Sequence, residues 1–424
     1  MAEADRWLQQ HRADPIPDLP PFQGGLMGFV GYEYGRRLER LPEPRSDDLR
    51  LPDVRLGAYE WVVAWDHEAG KCWVIGESAD RRIGGAADTG SEPSGESRGH
   101  ARSWPGGLTT GERGRAGRRV SAPAEPIEVD DVFRRLDAAK KGSDRARAGS
   151  PPTIRSGFTR DEYLAAVERV RQYILAGDVF QANLSQRFEA ECALEPFEFY
   201  RRLRAVNPAP CAAFIQGEGY AIASASPERF LAVTPTGAVE TRPIKGTRPR
   251  GPTPDEDQAQ IAELLASDKD RAENVMIVDL LRNDLSKVCR PGTVEVPALC
   301  ELESHPTVHH LVSTVTGKLE QGRTAMDLLR AAFPGGSVTG APKVRAMEII
   351  AELEPVARGV YCGAIGYLST TGTMDLSIPI RTVTLKEGTA YFHAGGGIVA
   401  DSDPALEYDE TLAKAAGIVR ALER

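Results

Sequence analysis

The chain has 424 residues, 41% apolar and 27% charged, an ordinary globular composition with room for two or three domains or one large elaborated fold. Its formal net charge of −9 disfavours nucleic acid or an anionic membrane as a partner but leaves open a local positive site for a small anion. No apolar run approaches the ~20 residues needed to span a bilayer, no signal-peptide core opens MAEADRWLQQHRADP, and Cys72, Cys192, Cys211, Cys289, Cys300 and Cys362 form no CxxC pair, so a reduced cytoplasmic protein without a zinc site is expected.

Residues 20–80 combine short apolar runs with turns. PFQGGLMGFVGYEYG is rich in glycine and aromatics, while LGAYEWVVAWD and KCWVIGE pattern as two strands. Residues 1–80 are therefore expected to form a β-rich N-terminal subdomain. Composition changes abruptly at Arg81: residues 81–126 are mainly Gly, Ser, Arg, Pro and Ala, which bury too little apolar surface to offset their ordering entropy. With the polar run that follows, 81–157 is expected to be mostly disordered linker, carrying one weak helix around Val129–Lys140. Residues 158–424 make up the remaining region.

There Thr159-Arg-Asp-Glu162 has the capping-box pattern. Tyr163, Leu164, Val167, Val170, Ile174 and Leu175 follow at helical spacing, with Gly177 as the stop. VFQANLSQRF alternates, placing Phe180, Ala182, Leu184 and Phe188 on one face and Gln181, Asn183, Ser185 and Arg187 on the other. Strands are expected in GYAIASAS, GAVETRPI, YCGAIGYLS, LSIPIRTVTL and AYFHAGGGIVA, and helices over 256–286, 324–333, 341–352 and 404–422. Strands clustered in sequence indicate an α+β fold rather than a regular βαβ array.

Five segments carry chemistry, although each has an ordinary reading when taken alone. In SASPERF and TRPIKGTRPR, Lys245 occupies a glycine-flanked turn where a lysine is usually solvated. In AENVMIVDLLRNDL, Glu273 shares a helix face with Ile277 and Leu280; an acid on an apolar face must be paired, protonated or metal-bound. In HPTVHHLVSTV, His310 opens a strand-like run. FPGGSVTGAPK lacks the lysine that a P-loop requires after its second glycine, but its free amides and the following helix start suit a carboxylate. In HAGGGIVADSDPALEYDET, three glycines permit close backbone approach, Asp403-Pro404 reads as a helix start, and Glu407 and Glu410 share a helix face. The plain reading pairs Glu410 with Lys414. Carboxylates with water also suit Mg²⁺, making Glu273 plus Glu410 a candidate hard-cation site.

In this order the five segments resemble the chorismate-utilising enzyme family over about residues 158–415, with PFQGGLMGFVGYEYG as a weaker match. The resemblance implies an α+β fold of two large antiparallel sheets packed orthogonally with helices outside. It implies Glu273 and Glu410 as Mg²⁺ ligands with Glu407 beside the metal, and His310 as the active-site histidine. Tyr361, Arg381, Gly395, Gly396 and Gly397 would hold chorismate's carboxylates, with Thr339 beneath the ring and Gln181 lining the site.

The family divides by nucleophile. Isochorismate and salicylate synthases resemble this chain but carry a general-base lysine where Gln181 stands, which argues against water as the nucleophile. Anthranilate synthases usually have PIAGT and aminodeoxychorismate synthases PIKGT; Pro243-Ile244-Lys245-Gly246-Thr247 has the second form, and no LLES-like tryptophan-feedback motif occurs. The resemblance then makes Lys245 the nucleophile that attacks C2 as the C4 hydroxyl leaves, before ammonia displaces it at C4. A protonated lysine attacks poorly, so desolvation and neighbouring cations must favour the free amine, and Glu228 would handle its proton. No GxCxGxQ-type segment is present, so a separate glutaminase subunit is expected to supply ammonia. The alternatives are C2 amination by an anthranilate synthase component and a non-catalytic chorismate-binding paralogue.

Overall fold

The computed structural model describes residues 1–68, 70–77, 82–88, 100–101, 108–109, 127–128, 153–305 and 308–423. Two large antiparallel sheets organise the chain. The ten-stranded sheet runs Ile244–Pro249, Val308–Lys318, Ala238–Thr241, Arg229–Val233, Met374–Ser377, Ala364–Ser369, Gly25–Val30, Val54–Tyr59 and Leu108–Thr109, with Glu295–Ser304 also pairing Val308–Lys318. The seven-stranded sheet runs Cys211–Gln216, Tyr220–Ser226, Thr382–Lys386, Thr389–Ile398, Gln181–Glu191 and Gly340–Ala341, with Arg155–Ser156 also on Gln181–Glu191. The α+β architecture expected from clustered strands is present. Among the described residues no helix is long and apolar enough to cross a membrane.

Local signals set the helix starts. Thr159 and Glu162 form the expected capping box ahead of Arg160–Leu175, and Thr253 with Glu256 and Thr324 with Asp327 form two more. The helix expected over 256–286 is instead two, Pro254–Ala266 and Asp268–Ser286. Ser267 adopts extended backbone between them, and its hydroxyl caps the second helix by accepting from the Asp270 N–H at 3.2 Å, a local bond that competes with helix continuation.

The N-terminal segment is built into the large sheet: Gly25–Val30 pairs with Val54–Tyr59 on one side and with Ala364–Ser369 on the other. Within the stretch read as linker, Arg82–Asp88 is a strand against Lys71–Glu77, and Leu108–Thr109 and Arg155–Ser156 also pair. The helix expected around Val129–Lys140 lies outside the described residues.

Phe29 and Ile365 of the ten-stranded sheet pack with Tyr220 and Ile222 of the seven-stranded one, so apolar side chains join the two layers. Asp268–Ser286, Ala325–Ala332 and Lys343–Leu353 pack on the larger sheet through Ile277, Leu281, Leu328, Met347 and their neighbours. Pro196–Val206 and Pro404–Glu423 cover the smaller one. Gln181–Phe188 is buried on both faces; its polar face looks into protein, not solvent. Phe180, expected on the apolar face, precedes the strand and is 72% exposed.

Candidate active site

Pairing of Gln181–Glu191 with Thr389–Ile398 sets Asn183 opposite Gly397, Leu184 opposite Gly396 and Ser185 opposite Gly395. The glycines leave room that any side chain would fill. A Cβ on Gly397 would run into the Gln181 carboxamide and lie 3.4 Å from Lys245 Nζ. On Gly396 it would lie 3.0 Å from Glu407 Oε2 and 3.5 Å from Glu410 Oε1, and on Gly395 it would meet the Leu184 carbonyl and Ser185. Gly395 and Gly397 thus require glycine for close approach, and Gly396 holds the two carboxylates close.

Lys245 reaches this place through an irregular strand. The register between Ile244–Pro249 and Val308–Lys318 shifts between Ile244 and Thr247, and Gly246 at φ +82° supplies the turn; such bulges re-aim side chains. Lys245 Nζ lies 3.7 Å from Glu273 Oε2, with the two side chains 11% and 14% exposed. Gln181 Nε2 donates to the same oxygen at 3.4 Å. The solvated-turn reading of Lys245 therefore does not apply.

Glu228 is buried between Tyr220–Ser226 and Arg229–Val233 and accepts a hydrogen bond from Ser337 Oγ at 2.7 Å. Burial pushes its carboxyl up to about 7, against the opposing pull of the Ser337 hydroxyl and the Lys245 ammonium. His310 is buried with Nδ1 2.8 Å from Thr247 Oγ1, in the turn that carries Lys245. Burial first and Arg381 second press its pKa to about 4, leaving a neutral imidazole at pH 7. Arg381 holds a left-handed backbone at φ +50° just before Thr382–Lys386. Burial lowers its pKa, and no ion pair among the described residues offsets this. A half-buried cation with no counter-ion among the described residues is a natural anion receptor.

Asp403 caps Pro404–Glu423 as expected, accepting from the N–H groups of Ala405 at 2.8 Å and Leu406 at 3.0 Å. Glu407 is buried, accepts from Ser402 Oγ at 2.6 Å, and lies 3.6 Å from Lys269 Nζ. Burial raises its pKa despite those partners. Glu410 pairs with Lys414 at 2.6 Å. Burial works against its carboxylate, but Lys414, Lys269 and Lys245 outweigh that and lower its pKa. Lys414 also donates to the Gly395 carbonyl at 2.8 Å, so this pair belongs to the site edge. Among the described residues no three His, Cys, Asp or Glu side chains form a ready-made metal cage. Glu273 on one element lies against Lys245, itself beside Gly397, while Glu407 and Glu410 on another flank Gly396, each acid with a lysine nearby. An all-carboxylate donor set around a cleft that a Cβ would fill fits a hard divalent cation with water completing its shell.

Two expected residues lie apart from the lysine–carboxylate contacts. The Thr339 hydroxyl donates to the Gly335 carbonyl at 3.0 Å, and its own carbonyl accepts from the Asn183 N–H at 2.8 Å. Tyr361 is buried and stacks on His393, with ring centroids 5.0 Å apart. Residues not singled out from sequence also matter here: Ser337 on Glu228, Lys269 on Glu407, and the buried pair Glu354–Arg358 behind Gln181–Glu191. Only Glu354–Arg358 had a local signal, its i,i+4 spacing. Gln181 Oε1, Asn183 Oδ1 and His393 Nε2 are buried without a hydrogen-bond partner, which leaves polar capacity for a ligand.

The chain belongs to the chorismate binding enzyme family, whose profile matches residues 2–420. It is 43% identical over 413 residues to aminodeoxychorismate synthase component 1 of Salmonella typhimurium, covering 96% of this chain and 79% of that one. It is 42% identical over 435 residues to anthranilate synthase component 1 of Mycobacterium tuberculosis, covering 100% and 76%. Its fold matches anthranilate synthase component I from Streptococcus pneumoniae with a TM-score of 0.78 at 34% identity, covering 98% of this chain and 85% of that one. The protein is thus an enzyme of a chorismate-using family.

Proposed function

We propose that this enzyme aminates chorismate at C4 to give 4-amino-4-deoxychorismate, a precursor of p-aminobenzoate and folate. It would work in the cytoplasm with Mg²⁺ and with ammonia from a separate glutaminase subunit. Identity does not choose between the reactions named for its relatives, at 43% and 42%. The observation that carries the choice is Lys245: its amine stands 3.7 Å from Glu273 and beside Gly397, where an alanine would leave no nucleophile. The component 1 in the relatives' names supports a second subunit.

In this reading Arg381 and the amides of Gly395, Gly396 and Gly397 hold the carboxylates, with Thr339 and Tyr361 bounding the ring. The Lys245 amine attacks C2, the double bond shifts, and the C4–O bond breaks. Ammonia then bonds to C4, the double bond returns, and the lysine amine leaves C2, so chorismate and ammonia give the amino product and water. Glu228, with a pKa of about 7, is suited to exchange protons with the amine and the departing hydroxyl at neutral pH. The neutral His310 is suited to hydrogen-bond the substrate without adding charge. Gln181 cannot act as a base, so water is not activated in place of the amine. Glu273 and Glu410 would hold Mg²⁺ with Glu407 alongside. When bound it would supply positive charge to the ring carboxylate.

The deciding experiment incubates the purified chain with chorismate, ammonia and MgCl₂ and identifies the product by chromatography and mass spectrometry. Aminodeoxychorismate as the main product is expected. Anthranilate, formed by amination at C2 with pyruvate release, would establish the other reaction, and a chain that binds chorismate without consuming it would be a non-catalytic paralogue.

A further inference from the structure

We propose that Arg358, together with Glu354, is a positioning residue for the chorismate site, standing in for a missing strand beside Asn183–Ser185. The inference rests on the site reading above.

Gln181–Glu191 is paired along one edge by Thr389–Ile398 from Ala182 to Glu191. Along its other edge the partners are interrupted. Gly340–Ala341 covers Gln181 and Ala182, and Arg155–Ser156 covers Phe188 and Glu189. Past the Asn183 N–H, which still bonds the Thr339 carbonyl, the Asn183 carbonyl and the Ser185 N–H meet side chains instead. Arg358 Nη2 donates to the Asn183 carbonyl at 2.7 Å, and Glu354 Oε1 accepts from both the N–H and the hydroxyl of Ser185 at 2.8 Å. One guanidinium and one carboxylate thus make the two backbone bonds that a neighbouring strand would make.

The same guanidinium ties three further parts of the site together. Its Nη1 donates to the Val338 carbonyl at 2.9 Å, next to Thr339, and its plane lies 5.8 Å from the Tyr361 ring. Nε and Nη2 fork onto Glu354 at 2.9 and 2.7 Å, and the Tyr32 ring lies on the cation at 4.7 Å. Arg358 is only 3% exposed, and four of the five N–H groups of its guanidinium are spent on the Asn183 and Val338 carbonyls and on Glu354. Asn183 and Ser185 face Gly397 and Gly395 across the ladder. A shift of this strand therefore moves the Gln181 carboxamide, the glycine floor and Thr339 relative to one another. Buried ion pairs are often replaceable by apolar residues without loss of stability, but an apolar pair makes neither backbone bond. The guanidinium fork is also not interchangeable with an ammonium.

The test compares wild type, Arg358→Lys and Glu354→Asp by kcat and KM for chorismate per folded molecule, with folded fraction taken from near-ultraviolet circular dichroism. Arg358→Lys keeps the charge opposite Glu354 but cannot reach the Asn183 and Val338 carbonyls together. It is expected to raise KM and to cut kcat/KM by about a hundredfold, the scale of a ~1 Å misplacement. Wild-type kcat and KM in the folded fraction, with only thermal stability reduced, would make the pair merely structural and overturn the proposal. If Arg358→Lys does not fold, Glu354→Asp decides. It keeps the charge pair but withdraws the carboxylate from Ser185, so a lowered kcat/KM supports the proposal and an unchanged one overturns it. A wild type that does not turn over chorismate sinks the site reading and this inference with it. An active wild type with kinetically unchanged variants overturns the inference alone.

Discussion

Replacing Glu228 with Gln is expected to slow turnover and, above pH 7, to stabilise the fold. Burial raises the carboxyl from 4.5 to about 7. Between those values the unfolded chain releases the proton while the folded chain keeps it. The unfolded state then binds fewer protons, so stability falls as pH rises through this window. Once the folded group has also ionised, the accumulated loss is the difference between about 7 and 4.5 at ~1.4 kcal/mol per pH unit, roughly 3 kcal/mol. Gln has nearly the same shape, still accepts from Ser337 Oγ, and cannot ionise. Urea unfolding of both proteins at pH 4.5 and pH 8 measures the effect as a difference of differences, in which other titrating groups cancel. The variant should gain about 3 kcal/mol relative to wild type between the two pH values, and its kcat at pH 7 should fall by about a hundredfold or more. Parallel stability–pH curves for the two proteins would refute the assignment of a buried, proton-holding carboxyl.

Lys245→Ala should abolish aminodeoxychorismate formation while chorismate still binds, since Arg381 and the glycines are untouched; production at the wild-type rate, with stability changed by only the ~0.5 kcal/mol of a surface substitution, would contradict the nucleophile reading. Glu410→Gln and Glu273→Gln should each abolish turnover at low Mg²⁺, which a MgCl₂ titration of initial rate checks, full activity at the lowest concentrations counting against the metal assignment. His310 is held neutral, with a pKa of about 4 against the ordinary 6.5, so its contribution to stability is present above pH 6.5 and lost as pH falls towards 4. His310→Gln should accordingly move the acid-unfolding midpoint to lower pH, and an unmoved midpoint would show that the histidine titrates normally. The purified chain should use ammonia but not glutamine; glutamine-dependent product in the absence of any other polypeptide would remove the need for a glutaminase partner.

Helix beginnings were legible because their causes are local. Thr159 bonds Glu162, and Asp403 bonds the two amides just beyond it, all within a single turn. The residue types at the candidate site were legible too: Lys245, the acids and the three glycines stood out in the sequence, and Lys245 stands beside Glu273 and Gly397. The break at Ser267 was missed because a serine inside a helical pattern is equally compatible with capping a new helix.

Burial and partnership were decided elsewhere. Alternation in QANLSQRF shows that its two faces differ but not that the polar face is covered; that depended on Thr389–Ile398, more than 200 positions away and on the Glu273 helix. The separation is 92 residues between Gln181 and Glu273 and 169 between Ser185 and Glu354. Whether Lys245 is a solvated turn residue or an amine against Glu273, and whether Glu354 and Arg358 are helix-end surface charges or a substitute strand, has the same local pattern in either case. Only the packing of the two sheets distinguishes them, because an isolated charge is inexpensive in water and costly in the interior, where it persists only with a partner delivered by a distant part of the chain.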